Sequence, residues 1–143
     1  MDEKKIKILE TTFAEVKAAQ DAAASLFYER LFAHDPSLRP LFTSADMAAQ
    51  GRKLMAALSF TVGALRKPDA LVPVLENLGV KHVPYGVTRE HYATVGAALI
   101  ETFSLYFGER FTGEVRAAWA EAYGLVSGVM MSAAYGELEV AHA

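Results

Sequence analysis

The stretch GVKHVPYGVTREHYATVG, residues 79–96, holds a helix end, a turn and a helix start around one histidine. Leu75 and Leu78 precede His82 by seven and four residues, so all three share one helical face. Pro84-Tyr85-Gly86 is a turn signal. Thr88 can cap a new helix, with Glu90 in its first turn. Tyr92, Val95, Leu99 and Phe103 then recur at helical spacing, and Gly108 is placed to end that helix.

Working outward, the same period runs through most of the chain. Five prolines, at 36, 40, 68, 73 and 84, leave residues 1–35, 41–67 and 85–143 free of proline. Ile6, Leu9, Phe13 and Val16 form one apolar stripe. Ala24, Phe27, Tyr28 and Leu31 form a second, and Leu54, Leu58, Val62 and Leu65 a third. Val115, Trp119, Ala122, Val126 and Val129 form the longest. Sustained alternation is absent, which argues against a sheet. Asp35-Pro36 opens a short helix ending near Phe42. Ser44 or Asp46 can cap the third stripe, and Thr112 the last. Residues 67–82, with Pro68 and Pro73, predict a less regular segment containing one short helix that runs to about His82. The Gly-Glu-Arg-Phe turn at 108–111 predicts that the last two long helices pack antiparallel. The expectation is one all-α domain over residues 1–143. Its roughly seven to eight unequal helices should cross steeply around a pocket rather than form a uniform bundle.

Composition narrows the chemistry. The chain has 143 residues, of which 52% are hydrophobic, enough to bury a core without staples. It has no cysteine, which removes disulfides, thiolate metal sites and a thiol nucleophile. The charged start MDEKKIKILE has no secretory pattern, and no apolar run is long enough for a membrane span. A cytoplasmic protein is expected. The net charge of −3, with mixed signs, gives no nucleic-acid footprint.

Four histidines remain: His34, His82, His91 and His142. No two are spaced to share a metal on one helix face. His34 reads as a surface residue at a helix C-terminus, where a partial positive charge suits the dipole. His91 reads as exposed or lightly packed, and His142 as a tail residue. His82 alone has an apolar face. The residues by themselves leave it open between a satisfied core histidine and a ligand.

The stretch at 79–96, with AAWAEAYG at 117–124, resembles the proximal half of globins of the bacterial single-domain haemoglobin and neuroglobin-like kinds. LFYERLFAHDPSLRPLF, residues 26–42, resembles the second and third helices of the same family, and QGRKLM, residues 50–55, its distal segment. The resemblance covers roughly residues 5–133. It implies a globin fold and a haem b held by His82 as proximal iron ligand. Phe42 would stack on the porphyrin. Leu78, Val87, Val95 and Val126 would line its apolar edge. Gln50 and Leu54 would form the distal wall, with Tyr28 pointing at bound ligand. Lys53 and Lys81 are candidates for the haem propionates, although both also read as ordinary solvated lysines. Tyr28 on its own also reads as a core tyrosine. In the family a tyrosine tied to a carboxylate late in the last helix often holds the proximal imidazole. The tyrosine matches Tyr92, but the carboxylate position falls on Ala134. A backbone carbonyl is then the expected partner of the imidazole.

These residues imply a function. Oxygen on ferrous iron carries partial negative charge, so donors stabilise it; Tyr28 has an O–H and Gln50 an N–H₂. A donor to such an acceptor contributes roughly 1.5–3 kcal/mol. An amide ligates iron poorly, so the ferrous site is expected to be five-coordinate and open to O₂, CO and NO. Reversible binding of these gases is the leading expectation. The alternative is nitric oxide dioxygenation, with electrons from a separate reductase, since no G-x-G-x-x-G is present. A gas sensor or haem-free interaction module is a third reading. Either a monomer or a homodimer fits the pattern.

Overall fold

Helix starts follow the polar side chains that can satisfy the first free backbone N–H groups. Asp2 accepts from the backbone N–H of Lys5 and begins α1 (Glu3–Ala18). Asp46 accepts from Ala48 and Ala49 and begins α3 (Met47–Gly63). Between them lies α2 (Gln20–His34), separated from α1 by a break at Ala19. Pro68, which has no N–H to leave unsatisfied, begins α4 (Pro68–His82). Thr88 begins α5 (Arg89–Phe107) through a capping box whose reciprocal partner is His91. Thr112 accepts from Val115 at the head of α6 (Gly113–Ala141). The computed structural model describes residues 1–42, 46–85 and 87–141. Ser44, Gly86 and His142, named above, lie outside them. Among the described residues there is no strand.

Three connections are short 3₁₀ turns, at Pro36–Phe42, Val83–Tyr85 and Gly108–Arg110. The first is the expected short helix from Pro36 to Phe42, in 3₁₀ form; Pro40 has no N–H to donate to the Pro36 carbonyl four residues back, the bond an α-helix would use. Gly108 closes α5 with φ of 59°, a left-handed conformation that suits glycine. Residues 68–82 correct the expectation of irregularity, because they form one continuous helix. Pro73 lies inside it, and the carbonyl it leaves unbonded belongs to exposed Asp69, where water can serve.

The interior divides into two cores. The larger joins Leu9, Phe13, Phe27, Leu31, Met55, Phe103 and Trp119, drawn from α1, α2, α3, α5 and α6. The smaller joins Ala64, Leu71, Leu75, Tyr92 and Met130. Thus α5 and α6 run through both cores, whereas α4 belongs to the second and α1 and α2 to the first. The chain packs accordingly. α3 lies on α1 and α2, α4 lies on α6, and no comparable packing joins α3 to α4. α5 and α6 do pack together as expected, but the most extensive partner of α6 is α4. That contact is close because Gly79 has no side chain; a Cβ there would lie 2.2 Å from the carbonyl oxygen of Met130.

Candidate functional site: a cleft between two cores

The site residues predicted from sequence fall on the two sides of the seam between the cores. On the first side, Leu54, Val95, Tyr28 and Phe42 are half-buried and pack against the larger core. On the second, Leu78, Val87 and Val126 are half-buried against the smaller one. Apolar side chains at this depth are neither fully enclosed nor free on the surface. They lie along the seam where α3 and α4 do not pack closely on one another, so that any guest seated there would meet apolar walls.

The α3 side carries the distal candidates. Tyr28 and Phe42 meet edge to face, with ring centroids 5.7 Å apart. Phe32 completes the cluster, 5.6 Å from Phe42, and the Arg39 guanidinium covers its ring at 4.6 Å. The hydroxyl of Tyr28 donates to the backbone carbonyl of Gln50 at 3.4 Å. That length is at the weak end for an O–H donor, so the proton can be redirected at little cost. Burial pushes the Tyr28 hydroxyl up to about 12, so it stays a protonated donor throughout the neutral range. Gln50 is half-buried one turn before Leu54. Lys53 is exposed.

The α4 side carries His82, half-buried at the end of its helix. Its Nδ1–H donates to the carbonyl of Leu78, 2.6 Å away and one turn back. That bond makes Nε2 the nitrogen that carries the lone pair and fixes the plane of the ring. Lys81 is exposed beside it. Two tyrosines brace the next segment. Tyr123 donates to the carbonyl of Tyr92 at 2.6 Å, and Tyr135 donates to the carbonyl of Val87. Burial, with Tyr92 nearby, drives the Tyr123 hydroxyl well above the usual tyrosine range. Tyr92 itself is 6% exposed, and its hydroxyl has no hydrogen-bond partner among the described residues. Ala134 is half-buried on α6.

Sequence reasoning missed Phe32 as part of the distal cluster, although it stands four residues after Tyr28 on the same face. It also missed the ties made by Tyr123 and Tyr135, which involve backbone carbonyls that no side-chain pattern reveals. The other described histidines, His34 and His91, have partners of their own. His34 faces Glu101 at 3.3 Å, and Nδ1 of His91 accepts from the Thr88 N–H.

The donor set suits one kind of metal group. Among the described residues no cluster of three or more His, Cys, Asp and Glu side chains can hold a metal ion. A metal at His82 would need most of its ligands from elsewhere, as in a porphyrin. The apolar walls, the single oriented imidazole and the orphaned Tyr92 hydroxyl all fit such a group.

Helices packed in two cores, with no strand among the described residues and His82 at the end of α4, define an all-α class of protein. The globin family model matches residues 25–130, about three-quarters of the chain, and the chain belongs to the globin family. It is 33% identical over 126 residues to a flavohemoprotein of Bordetella parapertussis, covering 87% of this chain and 31% of that one. It is 27% identical over 129 residues to a flavohemoprotein of Bacillus subtilis, covering 89% and 32%. The chain therefore spans about a third of the length of the curated relatives it matches. The fold is that of a bacterial globin from Campylobacter jejuni. The TM-score is 0.83 at 19% identity, over 99% of this chain and 100% of that one.

Proposed function

We propose that this globin seats a haem b in the cleft between its two cores and uses it to bind O₂, CO and NO reversibly. The observation that carries this reading is the 2.6 Å bond from His82 Nδ1–H to the Leu78 carbonyl, which leaves Nε2 as the ring nitrogen that would bind iron. When bound, haem would supply an iron that takes diatomic gases.

The chain's own residues do the rest. Phe42, Leu54, Leu78, Val87, Val95 and Val126 would exclude water from the porphyrin faces. A backbone carbonyl behind His82, rather than a carboxylate, would make the imidazole only a modest electron donor. That environment favours holding a gas over activating it. Tyr28 and the Gln50 amide would act as donors to a polarised ligand. Neither His34, which faces Glu101, nor His91, which caps α5, offers a second imidazole, which supports an open ligand position. Lys53 and Lys81 are exposed and would be the cations to meet the haem propionates.

The experiment is an absorption spectrum of the purified protein, ferric, reduced and CO-bound, beside His82→Ala. The wild type should show an intense Soret band and a five-coordinate ferrous form, and the variant should not retain haem. A wild type without a Soret band after haem addition would refute the proposal, and so would a variant of unchanged haem affinity.

The flavohemoprotein relatives favour a second reading, in which bound oxygen oxidises nitric oxide and a reductase returns an electron after each cycle. Rapid mixing of the oxygenated protein with NO would test it. Nitrate formed once per haem without a reductant, and repeatedly with one, would support it. Slow or absent reaction would leave gas binding alone.

A further inference from the structure

A second cleft lies apart from the one between the cores. It opens among α1, the α3–α4 connection and α6, and has a volume of about 510 Å³. Its walls include Ile6, Leu65, Leu71 and Val129, and the charged side chains on its lining are Glu3 and Arg66. The volume falls in the range of small-molecule sites, and the lining has their usual make-up of apolar walls with few polar groups.

Arg66 is held by two carboxylates in different ways. Glu10 takes the guanidinium fork, with bonds of 3.3 Å to Nε and 2.9 Å to Nη2. Glu3 takes Nη1 alone. The Glu3 side chain is 65% exposed, so its pairing is solvated and adds little stability. Lys7, one turn further along α1, also acts on the Glu3 carboxylate. A Glu four residues before a Lys is the favourable order for a helical pair, so Glu3 has a second partner at hand. Nη1 of Arg66 is thus a carboxylate position at an apolar cleft, filled by a carboxylate that can move away.

We propose that this cleft binds a fatty acid anion, its alkyl chain along Leu65, Leu125 and Val129 and its carboxylate on Nη1 of Arg66 in place of Glu3. A guanidinium offers donors and no acceptor, so an anionic head is preferred to an alcohol or an amine.

The test is calorimetric titration of the full chain with dodecanoate, with and without one equivalent of haem. One molecule should bind in both conditions. Arg66→Met should weaken binding about ten- to a hundredfold, the worth of a charge-assisted bond. Glu3→Gln should tighten it by about three- to fivefold, as the competing exposed pair is lost. Val72→Trp, which keeps the ion pairs and narrows the cleft, should abolish it. Dodecanol should bind more weakly and be indifferent to Arg66→Met. Binding only in the absence of haem would place the acid between the cores and overturn the proposal. So would no binding, or binding unaffected by the Arg66, Glu3 and Val72 variants.

Discussion

The two sides of the inter-core cleft are held by different forces. The α4 side rests on backbone. Gly79 lets α4 touch the main chain of Met130, and the ordered hydrogen bonds from His82, Tyr123 and Tyr135 all end on carbonyls. The α3 side rests on rings and a weak bond. Tyr28, Phe32 and Phe42 stack among themselves, and the Tyr28 hydroxyl reaches the Gln50 carbonyl only at 3.4 Å. A backbone carbonyl is fixed by its helix, whereas a ring cluster can repack. The contrast suits a protein in which one side must hold an iron ligand still and the other must admit and release a guest.

If that contrast is real, backbone-level changes on the α4 side should cost most. Gly79→Val would drive a side chain into the Met130 carbonyl, which cannot retreat without moving α6. A loss of roughly 3 kcal/mol or more is expected in urea denaturation, together with loss of haem retention. A stable, haem-loaded variant would show that the α4–α6 contact is not rigid. The matching change on the α3 side is Gly51→Ala, whose new methyl would lie 2.9 Å from the Ala24 Cβ. Both contacting groups are side-chain methyls, so a smaller loss, about 1–2 kcal/mol, should appear in the same measurement. Equal losses would erase the distinction.

Tyr28→Phe probes the weak bond. Folding stability near neutral pH should change by no more than about 1 kcal/mol, while release of O₂ from the haem-loaded protein should speed up about tenfold. Stopped-flow displacement by CO would measure the second effect. The same residue gives a pH signature. An unfolded tyrosine ionises near 10, but in the fold it stays protonated to about 12. The folded state therefore holds the extra proton between those values. Tyr28's contribution is complete below pH 10 and is lost as the pH rises through 12. Alkaline denaturation should be shallower in Tyr28→Phe; an identical slope would mean the hydroxyl is not buried.

The smallest effect separates use from structure. Tyr92→Phe removes a buried hydroxyl that has no partner among the described residues, so the haem-free protein should become more stable by about 1 kcal/mol. A loss of stability instead would mean that the hydroxyl is satisfied by water within the folded chain. If haem retention falls while haem-free stability rises, the hydroxyl serves the bound group.

Much of this was legible in the residues. The stripes beginning at Ile6, Ala24, Leu54, Tyr92 and Val115 are a local property of a 3.6-residue period, and each became a helix. Asp46, Thr88, Pro68 and Gly108 mark boundaries because capping is chemistry between near neighbours. The sequence, read with its family resemblance, also picked out His82, Tyr28, Gln50 and Phe42. What it could not supply was the division into two cores, the meeting of Tyr28 with the Gln50 carbonyl, or the continuity of α4 through Pro73. It did not reveal that the Tyr92 hydroxyl is left alone. Those depend on which backbone atoms lie opposite which side chains. Residues far apart in the chain meet only when the helices cross, so the tertiary structure alone decided them.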